Sequence, residues 1–182
     1  MDYVIVGILI FSVFLIPTAY AGFIGAPWAP TRMASVRKAF DNIGIGEKDV
    51  VVDLGAGNGA ILFEAANRGA RGVGYELSPI MWVVAYIHTM HKKGVQIIYG
   101  NFFKKALPKD TTLLFLFLMP KHMNHIGAYI SSQKLDNKTL VLSYAFPFKN
   151  IQTLHVYREE KCAPLYLYEL STLRFHFDTL ST

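Results

Sequence analysis

Hydrophobic and polar residues follow different rhythms in successive parts of this chain. Residues 3–26 (YVIVGILIFSVFLIPTAYAGFIGA) contain no Asp, Glu, Lys, Arg or His. As a helix rising about 1.5 Å per residue they would reach about 36 Å, enough to cross a hydrocarbon core of about 30 Å. Pro17 is tolerated in such a helix. Tyr3, Tyr20 and Trp28 stand near its ends, where interfacial aromatics gather. Ala19-Tyr20-Ala21 has the form of a cleavage site, yet Asp2 replaces the basic start of a signal peptide and the apolar run is long. The expectation is one transmembrane helix, with cleavage or burial in a core as alternatives. Only Asp2 precedes it, whereas Arg32, Arg37 and Lys38 follow it. The positive-inside rule therefore places the rest of the chain on the cytoplasmic side.

The second rhythm begins after residues 25–31 (GAPWAPT), where two prolines favour an extended path. Met33, Val36, Phe40 and Ile43 then share one helical face, with Thr31 as the expected cap and Gly44 or Gly46 as the stop. From Asp49 onward strands and helices alternate. Strands are expected near residues 50–54, 72–77, 95–99, 111–118 and 139–144, and helices over 58–68, 79–92 and 122–134. Residues 111–118 (TTLLFLFL) are apolar on both faces, as a central parallel strand must be. They are too few to span a membrane as a helix. Beyond residue 150 the pattern turns to strands, near 153–157, 165–170 and 173–177. These elements predict an α/β chain whose sheet is mostly parallel and closed by an antiparallel edge.

Composition adds little to this picture. The chain has 182 residues and a formal charge of +5, with 52% hydrophobic residues, many of them in the first segment. The basic residues are scattered, so no stripe points to nucleic acid. Cys162 is the one cysteine, which excludes an internal disulfide or a multi-cysteine zinc site. His122 and His125 are spaced like a metal pair but have no third ligand in sequence, so a surface helix explains them and no metal is expected.

Candidate chemistry sits in residues 51–59 (VVDLGAGNG), a glycine loop between an expected strand and an expected helix. Glycines here permit a tight turn and let a ligand lie against backbone. Glu76, twenty-three residues beyond Asp53, ends the next strand and can accept hydrogen bonds from both ribose hydroxyls of an adenosine. The same loop satisfies the dinucleotide pattern G-x-G-x-x-G/A. Asp53 favours S-adenosylmethionine (SAM) instead, since an acid suits a cofactor with an ammonium group and sits poorly beside a pyrophosphate. The candidate cofactor residues are Asp53, Gly55, Ala56, Gly57, Asn58, Gly59, Glu76 and Leu77. Asn101 and Phe102, after the third strand, are expected to frame the adenine.

Asp53-Leu54-Gly55-Ala56-Gly57-Asn58-Gly59 followed by Gly74-Tyr75-Glu76-Leu77-Ser78-Pro79 resembles the class I SAM-dependent methyltransferases. The second stretch is similar to the ATP synthase c-subunit lysine methyltransferase family and its prokaryotic relatives. So are residues 25–31, 116–120 (LFLMP) and 141–147 (VLSYAFP), and the likeness runs over about residues 1–170. Asn58 and Asn101 stand where that family often has Asp.

The resemblance implies a Rossmann-like class I methyltransferase sheet over residues 47–182, preceded by a transmembrane helix at 3–26 and a linker and helix at 27–46. It implies SAM as cofactor and a lysine of a membrane-associated protein as acceptor. Trp28, Thr31, Leu118, Met119, Pro120 and Tyr144 are the expected acceptor channel, with Met119, Pro120 and Tyr144 aligning the acceptor. Two other readings stay open here: methyl transfer to a lipid, quinone or other small hydrophobic acceptor, and a non-catalytic membrane-tethered SAM-binding module.

Overall fold

Short β-branched and apolar runs pair into one seven-stranded sheet in the computed structural model, which describes residues 3–8, 11–12 and 31–179. The strands are β1 (Val50–Leu54), β2 (Arg71–Glu76), β3 (Val95–Tyr99), β4 (Leu113–Leu116), β5 (Leu140–Tyr144), β6 (His155–Tyr157) and β7 (Leu165–Glu169). Their spatial order is β3-β2-β1-β4-β5-β7-β6. The first five run parallel, while β7 is antiparallel to both β5 and β6. Every residue of β1 and β4 is buried, as expected of strands covered on both faces. The Rossmann-like parallel sheet with an antiparallel edge is therefore what the chain forms.

The helices are α1 (Met33–Ile43), α2 (Ala60–Asn67), α3 (Pro79–Thr89), α4 (Met123–Ser132) and α5 (Leu170–Thr179). Val36, Ala39 and Phe40 of α1 join Ile61 and Ala65 of α2 in one core, against Val51, Phe115 and Leu142. Met123, Ile126 and Ile130 of α4 join Leu170, Leu173 and Phe177 of α5 in the other, against Val52, Leu114 and Val141. Alternate residues of β1, β4, β5 and β7 feed opposite cores, the period-two rule of a sheet.

Gly74 shows how tightly α2 lies on the sheet. A Cβ there would fall 2.8 Å from the Ala56 Cβ and 2.5 Å from the Leu62 Cδ1. Gly74→Ala is expected to cost about 1–2 kcal/mol through overpacking, read as a lower urea midpoint with an unchanged m-value.

Two expectations need correction. Residues 173–177 are helical, not extended. Leu170, Leu173 and Phe177 recur at helical spacing and are buried together, whereas Phe175, which an alternating pattern would bury, is exposed. The N-cap of α1 is Arg32 rather than Thr31, and the Ser35 hydroxyl donates back to the Arg32 carbonyl. Among the described residues no helix is long and apolar enough to cross a membrane. Most of the segment at 3–26, and Trp28, lie outside those residues.

Candidate cofactor site

Parallel strands send their C-terminal ends to one edge of the sheet, and ligands bind in open α/β sheets at that edge. Asp53, Glu76 and Tyr144 stand there at the ends of β1, β2 and β5, and Asn101 and Leu118 two residues beyond the ends of β3 and β4.

The glycine loop is held from both sides. The Gly55 and Ala56 N–H groups donate to the Tyr75 carbonyl at 3.0 and 2.9 Å, extending the β1–β2 ladder into the turn. The Gly57 N–H donates to Glu76 Oε2 at 2.8 Å, and the Ser78 N–H to Glu76 Oε1 at 2.8 Å. Gly59, with φ of 77°, closes the loop and starts α2. Its left-handed backbone strains any other residue. A Cβ at this position would also lie 3.0 Å from the Thr89 Cγ2 and 3.3 Å from the Ala85 Cβ. Asn58 Oδ1 accepts from the Ala60 N–H at 3.2 Å.

The two acids differ in how they are satisfied. Burial raises the Glu76 carboxyl above its ordinary range, and the N–H groups of Ser78, Gly57 and Leu77 counter that rise. Each carboxylate oxygen carries two lone pairs, so Glu76 retains acceptor capacity for a diol. Asp53 is 2% exposed. Burial, and after it the neighbouring charge of Glu76, hold its carboxyl well above the usual range, and among the described residues no hydrogen bond offsets either effect. A buried anion without donors is costly, and a cationic group beside it relieves that cost. Side by side, the two acids could receive a cationic group and a diol.

Asp53 therefore destabilises the empty protein above the unfolded carboxylate pKa, and the stability it withholds returns as pH falls through its raised folded pKa. Asp53→Asn is expected to raise the stability of the ligand-free chain at pH 7 by about 1–2 kcal/mol, while weakening SAM binding. Thermal melts at pH 5 and pH 7, with and without SAM, check both halves. A variant less stable than the parent at pH 7 contradicts the argument.

The other expected residues divide into two groups. Leu118 comes beside the loop, with its Cδ2 3.6 Å from where a Gly55 Cβ would be. Met119 and Pro120 follow it into a 3-10 turn, both at least partly accessible. Tyr144 is buried against Phe117, with ring centroids 4.8 Å apart, and its hydroxyl accepts from the Arg32 N–H at 3.3 Å. That contact brings Thr31 and the start of α1 to the end of β5. Asn101 and Phe102 follow β3 and make local contacts. Asn101 Oδ1 accepts from the Phe103 N–H at 3.0 Å, and the Phe102 ring packs against Phe103 and Tyr129. His125 stacks on Phe103 at 4.3 Å.

Sequence reasoning missed the support that α3 gives the loop. His88 Nδ1 lies 2.8 Å from the Asn58 carbonyl, and Ala85 and Thr89 face Gly59. The signal was the pair Ala85/Thr89, small residues four apart in an otherwise large apolar helix. An open groove of about 460 Å³ lies elsewhere, lined by Arg71, Gly72, Gly94 and Val95. It occupies the opposite ends of β2 and β3 and touches none of the candidate residues.

Comparison with known proteins agrees with this geometry. Residues 53–155 match the family model of the ANTKMT methyltransferase domain, from the buried acid of β1 to the start of β6. The chain is 26% identical over 138 residues to the ATP synthase C-subunit lysine N-methyltransferase of Xenopus laevis, covering 73% of this chain and 59% of the frog protein. It is 26% identical over 140 residues to a protein-lysine N-methyltransferase of Saccharolobus islandicus (strain REY15A), covering 74% and 85%. An RNA methyltransferase from Salinibacter ruber, crystallised with S-adenosyl-L-homocysteine, superposes with a TM-score of 0.72 at 25% identity, covering 78% of this chain and 94% of that one. The glycine loop, the paired acids and strands β2 to β5 thus fall within a single matched segment, and the chain belongs to the ANTKMT methyltransferase domain family.

Proposed function

We propose that this protein is a SAM-dependent protein-lysine N-methyltransferase tethered to a membrane by residues 3–26, with its sheet domain on the cytoplasmic side. The observation that carries the reading is the buried Asp53, without a donor among the described residues, beside Glu76 at the glycine loop, inside the segment that matches the family. The relatives named as lysine methyltransferases support the acceptor class. Support for the tether is narrower. Residues 3–8 are helical, and Tyr3, Val4, Ile5, Val6 and Ile8 are exposed rather than packed on the domain.

Asp53 would hold the cofactor's ammonium, Glu76 its ribose, and Gly55 through Gly59 would give it a backbone floor, with Leu77, Asn101 and Phe102 bordering the adenine. Bound SAM supplies a methyl group already activated on a sulfonium. The chain's own task is alignment and exclusion of water. Leu118, Met119, Pro120 and Tyr144, with Thr31 and Trp28 from the linker, form the proposed acceptor entrance. Apolar walls there favour the neutral amine that must attack, because desolvation lowers a lysine pKa. No general base is then required.

The test incubates the full chain in detergent with methyl-labelled SAM and a membrane fraction. Label recovered as methyl-lysine after protein hydrolysis, and absent with Glu76→Ala, supports the proposal. Label in the solvent-extractable fraction selects the small hydrophobic acceptor. No transfer by a folded, SAM-binding chain leaves a binding module.

A further inference from the structure

A helix that is apolar on all sides normally lies in a core. Helix α3 (PIMWVVAYIHT) is such a helix, yet only Ala85 and Thr89 are buried. Ile80, Val83, Val84 and Ile87 are exposed on it, with Met90 just beyond and Tyr99 on the adjacent edge strand β3. Ile87 and Met90 are 59% and 55% exposed. A contiguous apolar face of this kind marks an interaction surface.

Its surroundings indicate what covers it. From Leu77 through Lys109 the chain holds five lysines and no Asp or Glu. Lys93, Lys104 and Lys105 are exposed, and among the described residues none of the three enters an ion pair. Lys92 is occupied, bonded to Asn67 and placed 4.2 Å over the Phe63 ring. Trp82 sits between Tyr86 and Tyr99 at 5.9 and 6.1 Å, its indole N–H donating to the Ile97 carbonyl. Apolar side chains, aromatic rings with polar tips, and an uncompensated basic rim are the three features of a segment lying in a lipid–water interface. A second copy of the same face would set like-charged rims against each other.

We propose that the exposed face of α3, with the β3 edge, docks onto an anionic lipid surface and forms a membrane contact separate from the N-terminal segment. The occupant is lipid with acidic headgroups. The contact does not depend on methyl transfer.

The full chain carrying Cys162→Ser is labelled with an environment-sensitive fluorophore at one of three new cysteines, Ile8→Cys, Ile87→Cys or Phe175→Cys. Each is reconstituted into nanodiscs containing nitroxide-bearing lipid, with either acidic or zwitterionic headgroups. Position 8 reports the tether, 87 the proposed face, and 175 the exposed side of α5. The expected result is strong quenching at 87 in acidic discs. It is lost in zwitterionic discs and after Lys93, Lys104 and Lys105 are replaced by Glu, while 175 stays unquenched throughout. No quenching at 87 while 8 is quenched overturns the docking and leaves the tether standing. Equal quenching at 87 and 175 overturns it as non-specific. A shielded but unquenched probe at 87 overturns it in favour of a protein cover, either a second copy or the chain's own N-terminal residues.

Discussion

Glu76→Ala is expected to weaken SAM binding about ten- to a hundredfold, measured by calorimetry on the detergent-solubilised chain. A hydrogen bond to a charged group contributes about 1.5–3 kcal/mol, and each 1.4 kcal/mol is a factor of ten. The same change removes the acceptor for the Gly57 and Ser78 N–H groups, so part of the loss would come from a loosened loop. Glu76→Gln separates the two causes. Its single carbonyl oxygen can still take one of those N–H groups, while its amide NH₂ faces the other and offers the ribose no charge. If Gln binds as weakly as Ala, the charge is what matters. If Gln restores binding, the scaffold is. Because burial raises both Glu76 and Asp53, affinity is also expected to fall with pH as these carboxyls protonate, well before an ordinary carboxylate would. Undiminished binding by Glu76→Ala would remove Glu76 from the site.

Phe40→Ala is expected to cost about 3–5 kcal/mol, read from the urea midpoint. Phe40 has no exposed surface, packs between the α1 face and the sheet, and carries the Arg68 guanidinium 5.6 Å above its ring. If residues 33–43 were an accessory to a domain beginning at residue 47, truncating this ring would cost under about 1 kcal/mol. The measurement thus decides whether α1 belongs to the folding unit.

Much of the sheet was readable because its signal is local. Val50–Leu54, Val95–Tyr99 and Leu140–Tyr144 are short apolar runs bounded by turn residues, and each forms a strand within a residue of expectation. The glycine loop was readable for the same reason, since Asp53 through Gly59 are consecutive. Residues 173–177 deceived because L-R-F-H-F alternates by eye, while burial follows 170, 173 and 177. The contacts of His88 with Asn58, and of Ala85 with Gly59, join residues about thirty apart. Only the packing of α3 on α2 reveals them. The exposure of α3 was hidden too, because an apolar helix reads the same whether or not anything covers it.

The bond from the Arg32 N–H to the Tyr144 hydroxyl has a consequence for reach. It pins the chain at residue 32 to the sheet edge that carries the candidate cofactor residues, and α1 then holds it there. If the bilayer segment ends near residue 26, about six residues join the two, a leash of about 20 Å even when fully extended. Such a tether acts as a ruler. On the proposed function, it would restrict methylation to lysines that stand close to the membrane surface, whatever other lysines the acceptor protein displays farther out.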